Sequence, residues 1–292
     1  MAPNASGILV GVDGSEFSDA AVRWAVREAA IRHEPLTLMT VAEYHGPRFV
    51  TYDIEKIQNS RRAQHREIDR ILVGARQVVD DVVGDRGSGK VDTEFLFAHP
   101  LATLIDMSKD MRLVVVGCRG MGVLPRLTLG SISSGLVRYA HCPVAVIHKE
   151  HPEPNVHAPI LLGIDGSPAS EFATTIAFDA ASRRRAPLIA MHAWADSLTS
   201  GAHFNWTIDE QMGDELLSER LAGWQENYPD VHVKPILIHQ DASRWLVNHS
   251  DTAQLVVVGS HGRGGFAGML LGSVSATVVN AADVPVIVAR MP

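Results

Sequence analysis

Two stretches of this chain carry the residue types and spacing of an anion cradle. GCRGMGVLPRLTLGS spans Gly117–Ser131, and GSHGRGGFAGMLLGS spans Gly259–Ser273. Each reads glycine, two residues, glycine, nine residues, glycine-serine. Each follows the apolar run LVVV, and neither contains an acidic residue. Glycine at 117, 120, 259 and 262 is expected to let the backbone approach a ligand closely and to permit positive φ. Gly130-Ser131 and Gly272-Ser273 are expected to open a helix, where unpaired amides and the helix dipole favour an anion. Ser133 and Ser275 add hydroxyls on the same turn. The chemistry implied is the holding of phosphate groups.

Two familiar phosphate motifs are excluded. No GxxxxGK[ST] is present, and neither loop contains a lysine, so this is not a P-loop. The first strand leads into GVDGS or GIDGS rather than GxGxxG, which argues against a nicotinamide-dependent dehydrogenase. Hydrolysis would need a positioned water and charge stabilisation. The loops offer Arg119, Arg126, Arg263 and His261 but no carboxylate, and His261 has Arg119 at its place in the other copy. No Ser-His-Asp or paired-carboxylate pattern is readable, so no catalytic residue is assigned. Cys118 lies in the first loop, but Ser260 replaces it in the second, so ligand binding there does not require a thiol.

The elements that must position these loops also occur twice. ILVGVDGSEFSDAAVRWAVREAAIR from Ile8 matches LLGIDGSPASEFATTIAFDAASRRR from Leu161, with Asp13 against Asp165. LVVVG and the loops repeat at a shorter offset, which places ten extra residues in the first copy between Ala42 and Val91. A period of domain size means tandem duplication. The expected division is a first domain over 1–148, a linker over 149–159 (KEHPEPNVHAP) and a second domain over 160–292.

Within the first copy, strands are expected at Ile8–Val12, Leu36–Val41, Val91–Ala98, Leu113–Val116 and Val144–Ile147. Ser15 and Ser167 suit helix N-caps, and Pro168 suits the first helical position. Ala21, Val22, Ala25, Val26, Ala29 and Ala30 recur at helical spacing, as do Ile68, Ile71, Leu72, Ala75, Val78, Val79 and Val82. Leu101–Lys109 and Ile132–Tyr139 are further helices. Continuous apolar strands are covered on both faces, as in a parallel sheet. Each copy is therefore expected to be a doubly wound α/β domain, a Rossmann-like five-stranded parallel sheet with helices on both faces and a flavodoxin-like strand order. In such sheets ligands sit beyond the carboxyl ends of the strands at the switch point, which is expected beside strands one and four. Asp13 and Gly117 end those strands, and Asp165 and Gly259 are their counterparts.

Composition bounds the partners. The chain has 292 residues, 46% hydrophobic and 20% charged, with net charge −7. That suits a folded protein and disfavours nonspecific nucleic-acid binding. Two cysteines without a CxxC pair fit reduced thiols, and no stretch has the length of a membrane span, so a cytoplasmic location is expected. The 14 histidines are scattered without HxxxH or HExxH spacing.

The two loops resemble the G-2x-G-9x-G[S/T] signature of ATP-binding universal stress proteins. VDGS after the first strand, LVVVG before each loop and [HD]xPV near each domain end fit as well. The resemblance is to a tandem-domain member and covers nearly the whole chain outside Lys149–Pro159. It implies ATP with Mg²⁺ as ligand. By its pattern Asp13 and Asp165 contact the adenosine part, and Val41 and Ala193 offer main chain to the adenine. Gly117, Gly120, Gly130 and Ser131 wrap the phosphates, as do Gly259, Gly262, Gly272 and Ser273, with Ser133 and Ser275 as second choices. It also implies pairing through the last strand, at Val144–Ile147 and Val286–Val288, giving intrachain pairing of the two domains and a homodimer. The function implied is an ATP-binding stress-response regulator whose occupancy controls conformation or choice of a regulatory protein partner. Two alternatives stand beside it: a slow ATPase, and a dimerisation or adaptor module with relic pockets. The regions Tyr44–Gln64 and Phe204–Glu215 differ most between the copies, and surface connections or lids are the readings available for them.

Overall fold

The computed structural model describes residues 7–43, 54–84, 90–120, 129–148, 155–193, 217–219, 221–262 and 270–291, with only the backbone at 54 and 56. Arg126, Arg263, Phe204–Glu215 and part of Tyr44–Gln64 lie outside these residues. The chain divides into two compact units, 1–150 and 151–291. The first runs β1 (Ile8–Gly11), α1 (Glu16–Arg32), β2 (Leu36–Ala42), α2 (Ile54–Val83), β3 (Val91–Phe97), α3 (Pro100–Met107), β4 (Leu113–Gly117), α4 (Ser131–Tyr139) and β5 (Val144–Ile147). The second runs β6 (Ile160–Ile164), α5 (Pro168–Arg184), β7 (Leu188–Ala193), helical residues 221–227 (α6), β8 (Val233–Ile238), α7 (Ala242–Ser250), β9 (Leu255–Gly259), α8 (Ser273–Ala281) and β10 (Val286–Ala289).

Strand order within the first unit is β3-β2-β1-β4-β5, and within the second β8-β7-β6-β9-β10. All neighbours pair in parallel. This confirms the doubly wound α/β class and corrects one detail. The order is 3-2-1-4-5, the Rossmann order 3-2-1-4-5-6 without its sixth strand, rather than the flavodoxin-like 2-1-3-4-5. The difference comes from β2 and β3, which extend the sheet on one side of β1 before the chain returns to place β4 on the other. Helix packing follows this path: α1 lies against α2, and α3 against α4. The switch point thus falls between β1 and β4, where the cradle residues were expected.

The apolar runs form the core. Leu9, Val10, Val114, Val115, Val144 and Val146 are fully buried, as are Leu161, Leu162, Val256 and Val257. Each contributes about 1.5–3 kcal/mol relative to exposure. Helix α1 buries Ala21, Val22, Ala25, Val26 and Ala29, but Ala30 is exposed. Glu28 occupies the inward position instead, paired with Arg32 one turn later. Ile68, Ala75, Val78 and Val79 form the buried face of α2.

Both helices that follow the first strand of a unit are capped as expected. The Ser15 hydroxyl accepts from the Ser18 amide, and the Ser167 hydroxyl from the Ser170 amide, each at 3.2 Å. The turns before them need glycine for a conformational reason. Gly14 sits at φ +80° and Gly166 at φ +76°, where a side chain costs roughly 1–2 kcal/mol. The end of the expected linker belongs to the second unit, since Gln254 Nε2 donates to the carbonyl of Ala158 at 2.6 Å. Among the described residues, no helix is long and apolar enough to cross a membrane.

Candidate nucleotide site

Each site is built where the DGS turn meets the glycine loop. Strand β1 ends at Gly11, and the chain turns through Asp13, Gly14 and Ser15 into α1. Asp13 Oδ1 accepts from the Ser15 amide at 3.0 Å and from the Ser15 hydroxyl at 2.6 Å. In the second unit Asp165 Oδ1 accepts from the Ser167 amide at 2.9 Å. These local bonds aim each carboxylate across the switch point. There it meets the loop that leaves β4 or β9: a Cβ added at Gly120 would fall on Asp13 Oδ2, and one at Gly262 on Asp165 Oδ2. The acid and the second loop glycine are therefore in direct contact in both units.

The reason for the loop glycines differs from the sequence expectation. Neither Gly117 nor Gly120 has positive φ, and neither do Gly259 and Gly262. What excludes a side chain is protein. A Cβ at Gly117 would stand 2.7 Å from the carbonyl carbon and oxygen of Phe17, and one at Gly259 would stand 2.9 Å from Ala169 C and Ser170 N. The strand ends press against the first turn of α1 or α5, so Gly117 and Gly259 set the floor of the cradle. Sequence reasoning missed Phe17 and Ala169, because nothing local in either residue announces that contact.

Gly130 and Gly272 behave in another way. Each is the N-cap of the next helix, at φ −74° and −70°, with no side-chain cap of the first turn among the described residues. Their amides donate to Cys118 O and Ser260 O at 2.7 Å, closing the loop on itself. A Cβ at Gly130 would come no nearer than 3.4 Å to any described residue, so packing among these residues does not require glycine there. The helical ladder begins with the Ser134 amide donating to Gly130 O at 2.9 Å, and with the Ala276 amide to Gly272 O at 2.9 Å. The amides of 131–133 and 273–275 thus have no partner within their helices, and no acidic residue lies in either first turn. Ser131 is exposed at this start, as is Ser273.

Ser133 and Ser275 do not face the cradle as donors. Both are buried; the Ser133 hydroxyl bonds Cys118 O at 2.9 Å, and the Ser275 hydroxyl bonds Gly259 O at 2.5 Å. A hydroxyl has one proton, and here it pins the helix start to the end of the preceding strand. Val41 is the penultimate residue of β2, and Ala193 is the last residue of β7. The Val12 amide donates to Met39 O at 2.9 Å, so by ladder alternation Val41 directs its amide and carbonyl toward the same side, just past the end of β1. The preceding residue closes that strand end: Thr40 Oγ1 donates to Val12 O at 3.1 Å, and His192 Nδ1 bonds Ile164 O at 2.6 Å. A carbonyl only accepts, so His192 carries its proton on Nδ1. Because threonine and histidine share no motif, the sequence held no signal for this pair.

Of the remaining loop residues, Arg119 lies over the Phe17 ring, 5.5 Å from its centroid. His261 Nδ1 is 3.0 Å from Ser260 Oγ. Cys118 is 2% exposed, its thiol directed at His148 O, and burial pushes that thiol up to about 11. It is neutral at physiological pH and turned away from the cradle.

Comparison with known proteins agrees with the repeated α/β fold. Residues 6–148 and 158–290 each match the Universal stress protein family. A universal stress protein of Mycobacterium tuberculosis strain H37Rv is 46% identical over 291 residues, covering 97% of this chain and 96% of that one. One from Mycolicibacterium smegmatis is 48% identical over 292 residues, covering 97% of each. The crystal structure of a universal stress protein from Archaeoglobus fulgidus superposes with a TM-score of 0.71 at 18% identity, covering 100% of both chains.

Proposed function

The chain belongs to the universal stress protein family, and from that premise we propose that each unit binds one ATP at its switch point and that occupancy sets the conformation or the partner choice of a stress-response regulator. The observation that carries this reading is the meeting of three features in each unit. They are a carboxylate at the end of the first strand, a loop glycine in contact with it, and a helix start whose N-cap is a glycine, with no side-chain cap among the described residues. The first suits a ribose, the last a polyphosphate. Asp13 and Asp165 would hold the adenosine part, and the main chain of Val41 and Ala193 the adenine edge. Gly120, Gly130 and Ser131, with Gly262, Gly272 and Ser273, would line the phosphates. Gly117 and Gly259 support that lining from below.

The donor set fits a magnesium nucleotide. Amides of 131–133 supply the positive end of a helix dipole without a lysine. Among the described residues no cluster of three His, Cys, Asp or Glu side chains forms a metal cage. Mg²⁺ characteristically needs little protein ligation, taking its oxygens from phosphates and water.

The test is to denature freshly purified protein and identify and count the released nucleotide by mass spectrometry, with calorimetric titration of emptied protein. About two ATP per chain is expected. Release of ADP together with single-turnover phosphate formation would redirect the reading to a slow ATPase. No binding at millimolar ATP would reduce the chain to an adaptor.

A further inference from the structure

Strands β3 and β8 are matched in register and opposite in character. In the first unit β3 is the last strand beyond β2, with Thr93 opposite Leu38; in the second, β8 is the last strand beyond β7, with Pro235 opposite Ala190. The Leu36 amide donates to Lys90 O, and the Ala98 amide to Ala42 O. By ladder alternation Asp92, Glu94 and Leu96 turn their amides and carbonyls toward β2, while Val91, Thr93 and Phe95 turn theirs outward. The Leu188 amide donates to His232 O, and the same alternation turns Pro235 outward in β8. Proline has no amide to offer, so it blocks the addition of a further strand at that edge. Thr93 holds the equivalent place in β3 with its amide intact. Arg76 Nη1 covers the carbonyl of Val91 at 2.8 Å, but among the described residues no strand pairs with the outward groups of Thr93 and Phe95.

The side chains of this edge are also open. Phe95, Leu96 and Phe97 are 38, 46 and 36% exposed, whereas Leu237 and Ile238, at the places of Phe95 and Leu96 in β8, are half-buried and buried. Thr93, Phe95 and Phe97 share one face, where His65 of α2 packs edge-on against the rings of Phe95 and Phe97, centroids 5.7 and 5.0 Å away. Arg61 and Arg62 precede His65 by one turn of α2 on that side. Asp92, Glu94 and Leu96 share the opposite face. Lys90 pairs with Asp92 at 3.2 Å, an exposed and therefore weak pair, and Glu94 is exposed.

We infer that the outer edge of β3 is a docking edge that takes an extended peptide as an added strand, one in which basic side chains alternate with apolar ones. The outward groups of Thr93 and Phe95 supply its main-chain bonds. Its apolar side chains lie along Phe95, and its lysines or arginines beside Asp92 and Glu94, away from the arginines of α2. A second copy of this chain fits less well. Antiparallel pairing about Thr93 sets Asp92 opposite Glu94 of the other copy, and pairing about Phe95 sets Glu94 opposite Leu96. The inference stands apart from nucleotide binding.

The probe is a fluorescein-labelled peptide of four Lys-Val repeats, titrated into the full chain and read by anisotropy, with hydrogen exchange of the amides of 91–97 followed by NMR. Saturable binding that slows exchange at Thr93 and Phe95 is expected. Thr93→Pro, which copies the edge of the second unit, should weaken binding about 10-fold or more while the melting temperature stays within a few degrees. Asp92→Lys combined with Glu94→Lys should weaken the Lys-Val peptide about 10-fold and tighten a Glu-Val repeat peptide in its place. Such an exchange of preference cannot come from misfolding. No saturable binding at millimolar peptide, equal binding of the Glu-Val peptide to the unmodified chain, or unchanged affinity in Thr93→Pro would each overturn the inference. So would amides of Thr93 and Phe95 that already exchange slowly in the free chain. Dimerisation abolished by Thr93→Pro would assign the edge to a second copy and overturn it as well.

Discussion

Gly130→Ala and Gly117→Ala exchange the same hydrogen for the same methyl thirteen residues apart, yet the geometry assigns them opposite consequences. At Gly130 the new carbon meets Cys118 O at 3.4 Å, and Arg119 Cα and Ser133 Oγ at 3.5 Å, all ordinary contacts. The backbone there, φ −74° and ψ 164°, suits alanine. Replacing an N-cap glycine by alanine costs about 0.5–1 kcal/mol, and the stiffer unfolded chain returns about 0.4–1. Net stability should move by less than about 1 kcal/mol, or roughly 2–4 °C in melting temperature. The methyl would be added at the N-cap of α4, next to the amides of 131–133, which have no partner within the helix. Loss of one charge-assisted hydrogen bond to a phosphate costs about 1.5–3 kcal/mol, roughly 10- to 100-fold in affinity.

Gly117→Ala does the reverse. Its methyl would stand 2.7 Å from Phe17 backbone atoms. Backbone cannot rotate aside, so overpacking of about 1–3 kcal/mol is expected, several degrees in melting temperature. Titration with Mg-ATP beside thermal melting of each variant decides the matter. The expected pattern is a folded Gly130→Ala protein that loses one of two binding events, and a Gly117→Ala protein with a lowered melting temperature. A Gly130→Ala protein that folds normally and binds two ATP with unchanged affinity would refute the assignment of the helix start to phosphate.

The other expectations follow from burial and capping. Burial raises Cys118 to about 11 and Cys142 to about 12 from an ordinary 9.0. Folded-state values above the unfolded one mean that this stability is complete below about pH 9 and is lost as pH rises toward 11–12. Thiol reagents at pH 8 should therefore label neither cysteine until the chain unfolds, and alkaline melts should fall steeply above pH 9. Asp241 accepts from the Ser243 hydroxyl and the Arg244 amide at the start of α7, which lowers its pKa. Asp241→Ala should cost about 1 kcal/mol at neutral pH. Because the folded value lies below the unfolded one, the penalty should shrink as pH falls through the carboxylate range, as melts at pH 7 and pH 3 would show. Phe178 is fully buried and stacks on Trp224, with ring centroids 5.7 Å apart. Phe178→Ala should destabilise the second unit by about 3–5 kcal/mol in urea titration.

Much of this molecule is legible along the chain, and the limits of that legibility have a physical cause. Apolar runs such as Leu113–Val116 report burial on both faces of a sheet, and helical spacing reports a covered face. Both are local properties of burial, so the elements, their repetition and the α/β class could be read from residues alone. Ser15 and Ser167 are caps for equally local reasons, and the DGS turn carries its glycine because of its own φ. Strand order is different, since an apolar strand packs equally well beside several neighbours. Only the folded sheet puts β4 beside β1, in the order 3-2-1-4-5. That placement brings Gly120 onto Asp13 and Gly117 against Phe17, contacts between residues far apart in sequence. It also turns Ser133 and Cys118 inward, although both lie in a motif that reads as ligand-facing. The two copies are nearly identical as motifs, and a hydroxyl rotation separates them: Ser15 bonds within its turn, while Ser167 reaches across the cradle to His261. A hydroxyl proton follows the acceptor nearest in space, and tertiary structure alone decides which acceptor that is.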